Sequence, residues 1–111
     1  MLKKLLIIVG LACSLQACTS AVQARQYDEG KASFTAGNFK ESFHQLLPLA
    51  AANNEKAQYA VGYMYYYGYG VTRDTESGLF WMQKSAAQHY APAQKALDLI
   101  AKNEGPAGKY N

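Results

Sequence analysis

The sequence predicts an all-α fold, an αα-hairpin solenoid of about two hairpins closed by a C-terminal capping helix, and three observations carry that prediction. The chain resembles itself: a shift of 36 pairs Ala57-Gln58 with Ala93-Gln94, Ala60 with Ala96 and Ala50-Ala51 with Ala86-Ala87. A shift of 32 pairs Gln26-Tyr27 with Gln58-Tyr59, Gly30 with Gly62 and Phe34 with Tyr66. Periods of this size indicate arrays of helical hairpins. Small and apolar residues also recur at helical spacing, as at Ala57, Ala60, Val61, Met64, Tyr65 and Gly68. No stretch alternates in the manner of a strand.

The elements follow in order. Helix one is expected over about 24–36 and helix two over about 39–52, with Asn38 at its start. Helix three covers 55–67 and ends at Gly68 and Gly70, because glycine accepts the positive φ at which helices stop. The four-residue difference between the two shifts falls in the extra turn Gly68-Tyr69-Gly70-Val71. Asp74 is expected to cap a fourth helix of about 75–88 through its side-chain oxygen. Pro92 suits the first turn of a final helix over about 91–103. Gly62, inside a helix, costs up to about 1 kcal/mol relative to Ala, which indicates close approach of a partner helix. Gly30 in helix one admits the same argument.

The first 17 residues read as a signal peptide to be excluded from the fold. Lys3 and Lys4 precede an apolar run, Leu5 to Leu15, too short to span a bilayer stably, and small Ala17 precedes Cys18. The spacing Leu15-Gln16-Ala17-Cys18 resembles the lipobox of bacterial lipoproteins. That resemblance implies lipidation at Cys18 with cleavage just before it, and Thr19 in place of Asp implies the outer membrane. The alternative is an ordinary secretory peptide cleaved near Ala21 or Ala24. Two or three acyl chains, at about 0.8 kcal/mol per buried methylene, would hold the protein to the membrane durably. Residues 18–23 would then be a lipidated N-terminus and short linker, 24–103 the helical repeat domain and 104–111 a polar tail.

A chain cleaved there has 94 residues, one small domain, which buries a little over about 60% of its unfolded surface. It retains 9 basic against 8 acidic residues, a net charge of +1, so no nucleic-acid footprint is expected. Cys13 leaves with the signal and Cys18 is taken by lipid, leaving no disulfide and no cysteine metal ligand. Stability must come from packing.

The window AQYAVGYMYYYGYGVTRD, residues 57–74, resembles the Sel-1-like repeat, a relative of the tetratricopeptide repeat. Ala57, Val61-Gly62, Tyr65, Gly68-x-Gly70-Val71 and Asp74 stand at the family's spacing, followed by Trp81, Lys84-Ser85-Ala86 and Ala93-Gln94. Residues 27–52 resemble a degenerate copy. Departures fall at Gly78, which should loosen its helix, at Ser85, and at His89, a helix-end position where the family prefers glycine. A cysteine-rich branch of the family is linked to β-lactams, but its paired cysteines are absent here, and none of that activity is carried over.

Helical repeats stack into concave surfaces that hold other proteins. The expected function is therefore a lipid-anchored envelope protein whose repeats bind an unidentified envelope protein or peptide. Nine tyrosines occur, five of them between Tyr63 and Tyr69. Tyr65 takes the family's core position. Tyr59, Tyr63 and Tyr66 form a stripe at i, i+4 and i+7 that serves either the core or partner contact, and Tyr67 and Tyr69 at the loop are expected to be exposed contacts. No enzymatic site, cofactor or metal is expected, since His44 and His89 lie apart and outside any nucleophile or metal motif. Trp81 reads as core, and Glu29, Glu41, Glu55 and Glu76 as solvated faces. The alternatives are an enzyme or ligand-binding protein acting on cell-wall fragments, and an inhibitor or immunity factor.

Overall fold

The computed structural model describes residues 2–102, with side chains from Cys18 onward; the expected tail over 104–111 lies outside the described residues. Five helices follow one another: α1 (Leu2–Thr35), α2 (Phe39–Ala51), α3 (Glu55–Tyr67), α4 (Thr75–Ala87) and α5 (Ala91–Ala101). Each packs on the next in sequence, so α1–α2 and α3–α4 are two stacked hairpins and α5 covers the second. The fold class is thus the all-α helical-hairpin solenoid that the periodicity predicts. Among the described residues no helix is long and apolar enough to cross a membrane.

Each hairpin is built around the same close crossing. A Cβ on Gly30 would lie 2.6 Å from Leu46 Cδ2, so α2 sits close against α1 and a larger residue would displace the buried Leu46 side chain. In the second hairpin a Cβ on Gly62 would lie 2.8 Å from the Gly78 carbonyl oxygen and 2.8 Å from Met82 Cγ. The reciprocal Cβ on Gly78 would meet the Gly62 oxygen and the Tyr66 nitrogen, each at 2.9 Å. Gly78 therefore corrects the expectation that it loosens α4: it is buried, and it lets two backbones touch. Hydroxyls tie the hairpins as well. Ser42 Oγ donates to the Gly30 carbonyl at 2.7 Å, and Ser85 Oγ donates to the Glu55 carbonyl at 2.7 Å.

The core lies between α2 and α3, where Phe43, Leu46, Leu49, Ala50, Ala57, Val61 and Met64 are buried together. Tyr65 packs against this cluster with its ring edge-on to Phe43, centroids 5.2 Å apart, as its core assignment requires. Trp81 packs against it too. An amide network locks the hairpins to each other: Gln88 Nε2 donates to Gln58 Oε1 at 2.9 Å and to the Asn53 carbonyl at 3.0 Å, while buried Gln58 donates to the Ala50 carbonyl at 3.2 Å. Among the described residues every buried side-chain nitrogen and oxygen has a hydrogen-bond partner.

The helix ends differ from expectation in instructive ways. Asp74 caps α4, accepting from the Ser77 amide at 3.1 Å and the Ser77 hydroxyl at 2.6 Å. Asn38 makes no side-chain cap bond to α2; the cap of this kind is Asn54, whose Oδ1 accepts from the Ala57 amide at 3.0 Å at the start of α3. Gly68 ends α3 at φ 77°, and its amide donates to the Met64 carbonyl at 2.8 Å. His89, where glycine was expected, adopts φ 64°, and α4 ends at Ala87, just before it. Asn53 takes φ 71° at the matching point of the first hairpin. Helix one, expected from 24, is continuous from Leu2, so residues 18–23, expected as a linker, are helical. Their run of Cys-Thr-Ser-Ala-Val-Gln contains no Gly or Pro, and once α1 is nucleated each added turn costs little.

Candidate functional site

The odd-numbered helices supply one face of the solenoid, and a slot of about 370 Å³ opens there between α1 and α3. Tyr27, Lys31 and Phe34 of α1 form one wall, and Tyr59 and Tyr63 of α3 form the other. Ala60 and Leu46 lie at the floor and Tyr90, just before α5, stands at one end. Positions 27, 31 and 34 share one side of α1 because four- and three-residue steps return to the same face. Gly30 lies between Tyr27 and Phe34 on this side of α1, so the crossing there brings Leu46 of α2 to the slot.

Two aromatic clusters flank the slot. At one end Tyr59 packs against Tyr90 with centroids 5.8 Å apart, near Tyr27, whose ring carries Lys56 Nζ 5.9 Å from its centroid. At the other end Phe34 meets Tyr63 at 6.3 Å, Tyr69 at 5.6 Å and Phe39 at 5.0 Å. Tyr69 belongs to the extra turn, which folds back so tightly that a Cβ on Gly70 would strike the Phe39 carbonyl. The insertion thus sets an aromatic ring behind Phe34 and Tyr63, two of the residues that line the slot.

Burial raises the Tyr27 hydroxyl above its ordinary value of 10.0, reinforced by neighbouring Tyr90, Asp28 and Tyr59 in that order. Burial also comes first for Tyr59, followed by Tyr63 and Tyr90. Both hydroxyls are therefore neutral hydrogen-bond donors and acceptors across the physiological range. The slot offers large rigid rings, phenolic hydroxyls and one ammonium group, which suits recognition of a chain segment rather than bond cleavage. Among the described residues, no group of three or more His, Cys, Asp or Glu side chains is placed to hold a metal ion.

The tyrosines of the stripe take different places in the fold. Tyr59 and Tyr63 face the slot. Tyr66 does not line it: its backbone sits at the α3–α4 crossing and its ring packs edge-on to Tyr67 at 5.1 Å. Tyr67 continues the row, 4.7 Å from Tyr63, and is half-buried. Tyr69, expected as an exposed contact, is half-buried against the core, because the extra turn carries it inward. Cys18 is an exposed free cysteine on α1, and His44 is exposed on α2. Sequence reasoning missed Lys31 and Tyr90. The signal for Lys31 was available in the 32-residue shift, which sets it opposite Tyr63 in the repeat.

Comparison with known proteins agrees with this geometry. Residues 55–90, from the first residue of α3 to the tyrosine before α5, match the family model described as Sel1 repeat. The ERAD-associated E3 ubiquitin-protein ligase component HRD3B of Arabidopsis thaliana is 29% identical over 91 residues, 68% of this chain. The chain spans only 15% of that relative's length. No solved structure gives a significant match. The second hairpin, with the turn that leads into α5, is therefore a match to the Sel1 repeat, set in an all-helical fold of Sel1 and tetratricopeptide type.

Proposed function

We propose that this protein is a lipid-anchored cell-envelope scaffold that holds a protein partner in the slot between α1 and α3. Sel1 repeats generally mediate protein–protein interaction, and the relative HRD3B is itself a component of a larger ligase. The observation that carries the reading is the slot: aromatic walls on two helices around an opening of about 370 Å³. Large aromatic side chains supply contact area at small entropic cost, and such residues dominate binding energy where they are partly desolvated. The anchor rests on Lys3, Lys4, the apolar run and Ala17-Cys18, with Thr19 favouring the outer membrane.

Two measurements test the two halves. A photocrosslinking residue at position 59 should give a reproducible adduct in intact envelopes, and the same residue at exposed Phe80 on α4 should not; equal labelling at both would remove the slot as the partner face. Palmitate should label the wild-type chain and not Cys18→Ala, which should leave the membrane fraction. Equal partition of the two without fatty-acid incorporation would refute anchoring.

A further inference from the structure

The slot carries information about what enters it. Lys31 is the charged residue among those that line it, and Lys56 adds a second cation at the rim over Tyr27. Among the described residues neither lysine forms an ion pair; the ion pair present joins Arg25 to Glu29 at 3.2 Å, on exposed positions of α1. Internal comparison isolates Lys31 further. The hairpins match at Tyr27 and Tyr59, and at Gly30 and Gly62, but the position that is Tyr63 in the second is Lys31 in the first. Lys31 is exposed, whereas Tyr27 and Tyr63 are half-buried, so its ammonium group is accessible to a ligand in the slot.

Lys31 also lies in the middle of its wall, four residues after Tyr27 and three before Phe34. At a rise of about 1.5 Å per residue, that places its Cα roughly 6 Å from the level of one aromatic cluster and roughly 4.5 Å from the other. Alternate side chains of an extended peptide are spaced about 6.7 Å apart on one side. Three such side chains cover about 13 Å, slightly more than the roughly 10.5 Å between the two levels on α1, so with the central one at the ammonium group the outer two reach the aromatic clusters.

We propose that the slot binds an extended segment of a partner protein with the pattern apolar–x–acidic–x–apolar, its internal side-chain carboxylate seated against Lys31 between the two aromatic clusters. A chain-terminal carboxylate fits less well, because a chain ending at Lys31 would leave one cluster empty. This reading rests on the slot being the partner face and adds its selectivity.

The test uses the 111-residue chain in mild detergent and fluorescein-labelled peptides read by anisotropy. The probe is Leu-Ser-Glu-Ser-Leu between glycines, blocked at both ends. Its controls carry Gln or Lys in place of Glu, and a fourth peptide stops at Leu-Ser-Glu with a free carboxylate. The Glu peptide is expected to bind about fivefold more tightly than the Gln peptide, an advantage that fades with added salt. Lys31→Glu should weaken the Glu peptide about tenfold and invert the preference toward the Lys peptide, which a merely structural role for Lys31 would not do. Circular dichroism of that variant checks the fold. Equal binding of Glu and Gln peptides, preference for the free-carboxylate peptide, or no binding at millimolar concentration overturns the proposal. If peptides of every charge bind and Tyr59→Ala abolishes them all, the slot stands and only its selectivity falls. Absence of peptide binding together with absence of a crosslink at position 59 removes both.

Discussion

Replacing Gly62 with alanine sets two effects of known size against each other. Ala is the better helix former by up to about 1 kcal/mol, so propensity alone predicts stabilisation. The added Cβ would stand 2.8 Å from a backbone oxygen of Gly78 and 3.0 Å from the Met82 nitrogen, both on α4. Neither can rotate away, so the helices must separate, and overpacking of this kind costs about 1–3 kcal/mol. Added loss of packing around Val61 and Met82, both fully buried, keeps the balance unfavourable. The expected outcome is net destabilisation of about 1–2 kcal/mol, a fall in Tm of roughly 5–15 °C for a domain of this size. Urea denaturation followed by circular dichroism measures it, with an unchanged slope confirming that stability rather than compactness moved. Gly78→Ala should behave alike, and the double variant should cost less than the sum, because helices parted by one Cβ have room for the second. A Gly62→Ala protein more stable than wild type would refute the close-crossing argument, and strict additivity would show that the two glycines act independently.

Three further outcomes follow from the helix ends. Hydrogen bonding to the Ser77 hydroxyl and then its amide holds the Asp74 carboxylate below its ordinary value of 3.8, so its contribution is complete above about pH 4 and is lost as pH falls through the depressed value. Asp74→Asn keeps a cap but should flatten that acid-side loss in a series of melts from pH 6 to pH 2; an unchanged profile would show that Asp74 carries none of it. Asn54→Ala should cost about 1 kcal/mol whereas Asn38→Ala, which removes no cap bond, should cost nearly nothing, and reversal of that order in chemical denaturation would contradict the cap assignment. His89→Gly relieves a left-handed backbone and should raise stability by about 0.5–1 kcal/mol, whereas Asn53→Gly should lower it because the Asn53 side chain accepts from Gln58 and Gln88.

Much of this fold was legible because the repeat compares the chain with itself. The bounds of α3 coincide with expectation because Gly68 ends it by a local backbone requirement, and those of α4 fall within one residue because Asp74 starts it by a local side-chain bond. Some expectations failed on a contact distant in sequence and one on a local backbone angle. Gly78 looks like a helix defect until Gly62, sixteen residues away, is seen to press on it. Asn54 rather than Asn38 caps a helix because cap formation depends on the backbone angle of the residue: Asn54 is extended at ψ 116° and Asn38 is not, at ψ 66°. Tyr69 reads as a loop tip and turns out to be packed inward, since nothing local says that the extra turn folds onto Phe39. Tyr27 and Tyr59 were paired by the shift, but Tyr90 enters the slot only through the path the chain takes after His89.

The same crossing that builds the hairpins also makes the slot. At Gly30 the crossing brings Leu46 of α2 to the floor of the slot, next to Tyr27 and Phe34, which stand three residues before and four after that glycine on α1. The aromatic rows are not bare surface, because Tyr27, Phe34 and Tyr69 pack against the core cluster. They are half-buried against one another, with a lysine set where the second repeat has tyrosine. Packing energy therefore explains why Tyr63, Tyr69 and Phe34 hold together, and Lys31, exposed on α1, stands outside that packing. Gly62→Ala and Lys31→Glu should accordingly separate the two contributions: the first lowers stability without altering which peptide charge the slot prefers, and the second changes the preference with little loss of stability.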